Sequence, residues 1–272
     1  MIELRGKAVA DAHKAILQEK VAAVGNSVIT MAVLLVGEDH GAHMYATFME
    51  KTAKNFGYGF VLKQLPETAT QDEVVAALHE LNTDPSIHGI LPLMPMPNTE
   101  ALIDILDPKK DIDGLTTYNI GLVTAGKGGF APCTAKACMA ILNHYNIPLE
   151  GKHVVVVGRS QVIGKPVALM ALAAHGTVTM CHSRTSDLVE QVKRGDIIIA
   201  AAGRAHMITA NMIKPGAVVI DVGINELDGK TVGDVDYDAV KDIASAITPV
   251  PGGVGSVTTT MMLEAVYEAY HA

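Results

Sequence analysis

The chain has 272 residues, of which 49% are hydrophobic and 18% charged, a balance that supports a sizeable core and excludes wholesale disorder. At roughly 150 residues per domain, this length predicts two domains or one large one. The formal net charge is -8 and tryptophan is absent, so neither a general nucleic-acid binder nor a stacking platform for single strands is expected.

The first part of the chain alternates between helical and strand patterns. The predicted elements are a helix over 9–24, a strand over 29–36, a helix over 42–55, a strand over 59–64, a helix over 72–81, a strand over 87–91 and a short helix over 99–106. The apolar, β-branched run over 29–36 is typical of a strand buried on both faces of a parallel sheet. This half therefore predicts an α/β domain.

A second alternation follows the glycine-rich stretch 121–129, which has little pattern and indicates a hinge. The predicted elements here are helices over 134–145, 164–174, 188–192 and 258–270, and strands over 153–157, 177–181, 197–201 and 217–222. We expect two domains: residues 1–120, joined by the terminal helix 257–272 packing back on them, and a Rossmann-like domain over 121–256.

The segment Val154–Pro166 reads as a strand, a glycine turn and a helix start. Gly158 permits the tight turn and Gly164 permits close helix packing, so the free N–H groups of the helix could hold a phosphate. Ser160 stands where a dinucleotide fingerprint would have its second glycine. The position of this turn after a strand supports a nucleotide site.

The next predicted strand is followed by residues that favour NADP over NAD. An NAD site usually has an acidic residue here for the ribose 2′-hydroxyl, but none occurs before Asp187. Ser183 offers a hydroxyl, and Arg159 and Arg184 offer positive charge, which suits a 2′-phosphate. Arg184 could equally be a solvated surface charge.

The cysteines and histidines indicate neither disulfides nor a metal site. The three cysteines, Cys133, Cys138 and Cys181, form no C-x-x-C, and no H-E-x-x-H spacing occurs. The first residues lack an apolar signal core, and no apolar run reaches the ~18 residues needed to cross a bilayer. We expect a cytoplasmic protein without metal, nucleic-acid or membrane partners.

Six motifs occur in one order along the chain: GIL at 89–91, KDIDG at 110–114, PCT at 132–134, GRS at 158–160, DVGIN at 221–225 and TPVPGGVG at 248–255. With them the chain resembles the methylenetetrahydrofolate dehydrogenase/cyclohydrolase family over nearly its whole length. The resemblance implies two α/β domains flanking a cleft, a nicotinamide cofactor on the second, a folate between them, and a homodimer. It also implies that Ile224 lies at the cofactor.

The family's folate site implies roles for several residues. Tyr45 matches the tyrosine of the family's Y-x-x-x-K motif, which stacks on the folate, and Asp113 matches the aspartate that binds the pterin. The segment Pro251-Gly252-Gly253-Val254-Gly255 is expected to line the folate cleft, as are Pro92, Leu93 and Met94. Ser256 and Ala135 replace two family prolines.

Two departures fall on polar groups that cooperate in the family. Met49 stands where the family has the lysine that drives cyclohydrolase chemistry, and Leu93 stands where a glutamine supports that lysine. Hydride transfer mainly requires alignment, whereas hydrolysis of the methenyl product needs proton transfer. We therefore expect an NADP-linked methylenetetrahydrofolate dehydrogenase with weak or absent cyclohydrolase activity.

Three alternatives remain open from the sequence. The first is the ordinary bifunctional enzyme, with water activated by Asp113 or His43. The second is a non-catalytic folate- or nucleotide-binding paralogue. The third is a dehydrogenase for a modified folate, which the apolar pair Leu93-Met94 would suit.

Overall fold

The computed structural model describes residues 1–96 and 99–272. Contacts between residues divide the chain into two compact units. The three-stranded unit comprises Ala15–Cys133 and Met262–Ala272, and the six-stranded unit comprises Met1–Lys14 and Thr134–Met261. Both units are α/β, which confirms the predicted fold class.

The three-stranded unit is built on a parallel sheet with strand order β3-β2-β4. Its strands are β2 (Thr30–Val36), β3 (Gly59–Leu65) and β4 (Gly89–Pro92). Its helices are α2 (His40–Asn55), α3 (Gln71–Thr83), α4 (Thr99–Ile103) and α5 (Thr117–Thr124). The central strand β2 is apolar almost throughout and buried, as its sequence predicted.

The six-stranded unit carries a fully parallel sheet with strand order β1-β11-β8-β7-β5-β6. Its strands are β1 (Ile2–Glu3), β5 (His153–Val157), β6 (Thr177–Cys181), β7 (Ile197–Ala200), β8 (Val218–Asp221) and β11 (Ala246–Ile247). The hairpin β9 (Asn225–Leu227) and β10 (Lys230–Val232) stands apart. Because the chain leaves β5 for β6 on one side and continues with β7 on the other, a topological switch point lies at β5.

The remaining helices of the chain are α1 (Gly6–Ala22), α6 (Cys133–His144), α7 (Gly164–Ala173), α8 (Leu188–Lys193), α9 (Tyr237–Val240) and α10 (Val254–Tyr270). Of these, α1, α6 and α10 contain residues of both units. Among the residues that the structure describes, no helix is long and apolar enough to cross a membrane.

The strands at 153–157 and 177–181 match their predicted bounds. The glycine-rich stretch 121–129 was predicted to be a hinge, but its first residues are helical. Helix α5 extends through Thr124, and its start is capped by the Thr116 hydroxyl, which accepts from the Asn119 N–H. The helix was missed because it is short and carries almost no amphipathic pattern.

The observed division into units differs from the predicted boundaries at both ends. Residues 1–14 join the six-stranded unit because β1 pairs with β11, whereas we expected them in the first domain. Residues 121–133 stay with the three-stranded unit, where the Phe130 N–H donates to the Asn119 amide oxygen. The first difference comes from a pairing between segments far apart in sequence, which local patterns do not report.

Candidate active site

Helix α2 positions Tyr45 in the three-stranded unit. The Asp39 carboxylate caps the helix by accepting from the Ala42 N–H at 2.8 Å. Tyr45 is half-buried one turn further along. Burial raises the pKa of its hydroxyl, and the nearby charges of Asp113 and Cys133 raise it further. The structure therefore brings Tyr45 and Asp113, two residues predicted for one site, close together.

Asp113 is held by the start of α6. Its Oδ1 accepts from the Cys133 N–H at 2.8 Å. Burial raises the pKa of Asp113 to about 6, and the neighbouring Asp111 raises it as well, while the hydrogen bond from Cys133 opposes both. The carboxyl group is thus poised to change protonation just below neutral pH.

Hydrogen bonds to Asp111 fix the loop that carries Asp113. The buried Asp111 carboxylate accepts from the backbone N–H groups of Leu115 at 3.0 Å and Thr116 at 2.8 Å. Gly114 has φ +59°, and a Cβ there would collide with a backbone carbonyl. Only glycine fits this turn, so the KDIDG motif serves to aim Asp113.

Met49 is fully buried on α2, on the same face as Tyr45 at i, i+4 spacing, and Leu93 is 7% exposed just past β4. Neither side chain can transfer a proton. Neither of the lysines that follow Met49 on α2 lies on its buried face, because Lys51 is exposed and the exposed Lys54 pairs with Glu50 at 2.6 Å.

The residues around Leu93 divide between buried and exposed. Pro92 ends β4 and is buried, whereas Met94 is 43% exposed, with its sulfur 3.5 Å from the Thr99 hydroxyl. A cavity of about 550 Å³ opens at the carboxyl ends of β2 and β4; it is lined by Val36, Gly37, Glu38, Asp39, Glu67, Pro95 and Met96. Ligands of parallel α/β sheets commonly bind at this edge.

In the six-stranded unit, the turn between β5 and α7 requires its glycines. A Cβ at Gly158, which has φ +131°, would collide with the Ala201 carbonyl oxygen. A Cβ at Gly164 would collide with the Gly158 carbonyl. The close backbone approach expected of a phosphate-binding turn is therefore present.

The N–H groups at the start of α7, which were predicted to be free, are already hydrogen-bonded. The Ser160 hydroxyl accepts from the Ile163 and Gly164 N–H groups at 3.2 and 3.3 Å. The Ser160 backbone carbonyl accepts from the Lys165 N–H. Because Ser160 already caps these donors, an anion here has to be held by the turn and the exposed Arg159.

The two arginines expected at the 2′-phosphate follow adjacent strand ends. The Gly158 N–H donates to the Cys181 carbonyl at 2.9 Å, so β5 and β6 end side by side. Beyond β6, the Arg184 N–H donates to Nδ1 of His182 at 3.1 Å, and the side chains of Ser183 and Arg184 are exposed. These groups are free to meet an anion at this edge.

Ile224 and the predicted folate-lining turn lie together in the same unit. The Ile224 side chain is 72% exposed, and its Cδ1 lies 3.8 Å from the Cβ position of Gly255. Gly252 has φ +101°, and its carbonyl accepts from the Gly6 N–H at 2.8 Å. Pro251 is exposed; Gly253 is buried and precedes α10, which begins at the buried Val254.

Three residues that the structure holds by hydrogen bonds, Cys133, Asp221 and Asp234, had no predicted role. Cys133 lies in the PCT motif and Asp221 in DVGIN, so the motifs could have pointed to them. Asp234 carries no local pattern, and only its four hydrogen bonds reveal it. Within residues 1–96 and 99–272, no group of three or more His, Cys, Asp or Glu side chains is placed to hold a metal ion.

Comparison with family models shows that both halves of the chain match domains of one family. Residues 4–113 match the catalytic domain of tetrahydrofolate dehydrogenase/cyclohydrolase. Residues 132–272 match the NAD(P)-binding domain of the same family. These matches support the resemblance inferred from the motifs.

Individual relatives agree with this assignment. The bifunctional protein FolD of Desulforamulus reducens is 49% identical over 237 residues, which cover 86% of this chain and 84% of that protein. The Campylobacter jejuni bifunctional FolD structure has a TM-score of 0.96 at 39% identity, covering 100% of this chain and 99% of that one. The Trypanosoma brucei FolD structure, complexed with NADP and an inhibitor, has a TM-score of 0.93 at 32% identity and covers 100% and 97%.

Proposed function

Because this chain belongs to the tetrahydrofolate dehydrogenase/cyclohydrolase family, we propose that it oxidises 5,10-methylenetetrahydrofolate to 5,10-methenyltetrahydrofolate and hydrolyses the product slowly or not at all. NADP supplies the hydride acceptor when bound. The observation that carries the proposal is the fully buried Met49 at the position of the family lysine, with Leu93 at the position of its glutamine.

The residues of the three-stranded unit bind and orient the folate. The Tyr45 ring stacks on it, and the Asp113 carboxylate accepts hydrogen bonds from the amino edge of the pterin. The buried side chains of Pro92 and Leu93 exclude water, and the exposed Met94 side chain is available to line the folate site. These roles align a donor carbon for hydride loss without a protein base, because the folate nitrogens expel the hydride.

Ring opening makes a different demand on the chain. Water must attack the methenyl carbon and protons must move, and acid/base assistance typically contributes about 10²–10⁴-fold. Met49 has no titratable proton, and both lysines of α2, Lys51 and Lys54, are exposed. The loss of hydrolysis with retention of hydride transfer follows from this difference.

The ordinary bifunctional activity is the second candidate, and the names of the relatives favour it. Asp113, with a pKa raised to about 6, is able to carry a proton near neutral pH. His43 is less suited, because its Nε2 lies 3.2 Å from the Gly37 carbonyl and 3.3 Å from Glu38.

A paired assay separates the two candidates and also tests for a non-catalytic binding protein. With methylenetetrahydrofolate and NADP+, we expect equal rates of NADPH and methenyl formation. Starting from methenyltetrahydrofolate, we expect hydrolysis close to the enzyme-free rate. Enzymatic hydrolysis as fast as dehydrogenation would contradict monofunctionality, and absent hydride transfer would contradict the proposed reaction.

Restoring the lost polar pair is the corresponding gain-of-function test. We expect the double variant Met49→Lys, Leu93→Gln to hydrolyse the methenyl form about 10²-fold faster or more. Burial would lower the pKa of the new lysine and help it exchange protons near neutral pH. Met49→Leu is the volume-conserving control and should leave hydrolysis unchanged. A double variant that keeps dehydrogenation but gains no hydrolysis would contradict the role given to Met49.

NADP preference and assembly belong to the same proposal. Ser183, Arg159 and Arg184 provide the hydroxyl and charges for a 2′-phosphate, and steady-state kinetics favouring NAD by a wide margin would overturn this choice. We also propose a homodimer, for which sedimentation equilibrium should give twice the chain mass of 28.6 kDa.

A further inference from the structure

Two buried aspartates stand out in the six-stranded unit because neither has a role in the proposed reaction. Asp221 ends β8 and Asp234 follows β10; they are 3% and 0% exposed. Burying a carboxylate is costly unless hydrogen bonds compensate it. Both lie at the carboxyl edge of the parallel sheet, where such folds bind their ligands.

Asp234 joins the loop after β7 to the loop after β8. Its carboxylate accepts from three consecutive backbone N–H groups, those of 202–204, at 2.6, 2.9 and 2.8 Å. It also accepts from the Asn225 side-chain amide at 3.0 Å. We call residues 201–204 the β7 loop, and we call residues 222–225, the last of which begins β9, the β8 loop.

Asp221 forms hydrogen bonds both to the β8 loop and to the backbone of Asp234. Its Oδ1 accepts from the Gly223 N–H at 3.0 Å and from the Asp234 N–H at 2.9 Å, and its Oδ2 accepts from the Val235 N–H at 3.0 Å. A Cβ at Gly223 would collide with Asp234, and one at Gly233 would collide with Asp221. The two carboxylates are therefore packed directly against backbone.

These loops contact the residues expected to bind nucleotide. Gly158 of the phosphate turn packs so closely on Ala201 of the β7 loop that no side chain fits between them. Ile224 belongs to the β8 loop and lies beside Gly255. The aspartates thus connect the surroundings of the phosphate turn with those of Ile224.

We propose that Asp221 and Asp234 are positioning residues that hold the β7 and β8 loops in the conformation that binds the cofactor. This inference rests on the proposed use of NADP. Loops that are already ordered lose little conformational entropy when the nucleotide binds, so the free energy of binding is more favourable. Neither aspartate has to touch the cofactor, because both act through backbone N–H groups.

The main test is the Asp234→Asn variant, which places an amide where four N–H donors require a carboxylate. We expect its Kd for NADP+, measured by calorimetry, to rise about 10- to 100-fold. Its KM for the folate should stay within about twofold, because the folate-stacking and pterin-binding residues are untouched. Hydrogen exchange should accelerate in peptides covering the β7 and β8 loops.

Asp196→Asn is the matched control at the opposite edge of the same sheet. Asp196 accepts from the His153 N–H at 2.7 Å and pairs with Lys214 at 2.5 Å. Its replacement should lower Tm yet leave the Kd for NADP+ within about twofold. An equal rise in Kd for both variants would show a general loss of stability and would overturn the proposal.

Asn225→Ala carries the test if Asp234→Asn does not fold, because it removes one partner of Asp234 and leaves three backbone donors. We expect a rise in Kd of about threefold or more with faster exchange of the β8 loop. An unchanged Kd in either variant would overturn the proposal. A wild-type chain that binds NADP+ without hydride transfer would contradict only the proposed reaction.

Discussion

At the scale of single residues, we predict that the protonation of Asp113 links pH to folate binding. Burial raises its pKa to about 6, and only the ionised form is a full acceptor for the pterin amino edge. We expect the KM for methylenetetrahydrofolate to rise as pH falls from about 7.5 to 5.5, since protonation removes that acceptor. Initial rates across this range provide the measurement.

The control for this prediction is Asp113→Asn, whose Oδ1 can still accept from the Cys133 N–H but cannot titrate. This variant should have a higher KM with a flatter pH dependence, and an unchanged pH slope would refute the assignment to Asp113. Stability responds in the opposite direction: a pKa raised from 3.8 to about 6 makes this group's contribution most favourable at low pH and lost as pH rises through 6.

At the scale of elements, the turn between β5 and α7 depends on the absence of a side chain at Gly158. We expect Gly158→Ala to weaken NADP+ binding and to lower Tm, because the added Cβ would collide with the Ala201 carbonyl. Gly216→Ala is the matched control: Gly216 also has positive φ, +83°, but nothing lies within 4 Å of its Cβ position.

In the control variant the free energy of unfolding should fall by only about 1–2 kcal/mol, the backbone penalty of a side chain at positive φ. Its affinity for NADP+ should not change. Thermal unfolding and calorimetry on both variants give the comparison. Equal losses of affinity would mean that the close approach of Gly158 to the β7 loop does not shape the cofactor site.

At the scale of the whole molecule, the net charge of -8 offers no long-range attraction to an anionic cofactor. Binding therefore depends on local charges, and a 2′-phosphate should make NADP more sensitive to them than NAD. At 100 times Kd, a ligand stabilises the folded state by about 2.7 kcal/mol. We expect Arg184→Ala to reduce the Tm increase given by NADP+ more than that given by NAD+.

Arg194→Ala is the charge-matched control, because Arg194 is also exposed and follows α8, before β7 begins. It lies at the amino edge of the sheet, away from the turn after β5. Its removal should leave both Tm increases unchanged. A similar loss in the two variants would indicate that overall charge, and not a local phosphate contact, governs cofactor binding.

Much of the fold follows from local patterns. The strand at 153–157 was predicted to the residue, because a buried parallel strand is a continuous β-branched run. The strand at 177–181, which lies at the edge of the sheet and is mostly partly exposed, was also predicted to the residue. The short strands β1 and β11 were not, since two-residue strands carry no period and exist only through pairing. Helix α5 was missed for a related reason: its eight residues have no clear apolar face.

The candidate sites show the same division. Tyr45 and Asp113 were predicted through motifs, and the structure brings them together. The free N–H groups predicted at α7 are instead capped by Ser160, an outcome that depends on the exact path of the turn. Asp234 had no local signal, because its partners at 202–204 lie about thirty residues earlier.

The sequence by itself determined the two α/β halves, the glycine turn after β5 and the apolar residues Met49 and Leu93 at positions where the resemblance implies a lysine and a glutamine. These features depend on residue type and short spacing, which the chain carries wherever it folds. Only the tertiary structure decided the raised pKa of Asp113, the full burial of Met49 and the bonds of Asp221 and Asp234. Burial and buried hydrogen bonds arise between segments distant in sequence, so they exist only once the chain is packed.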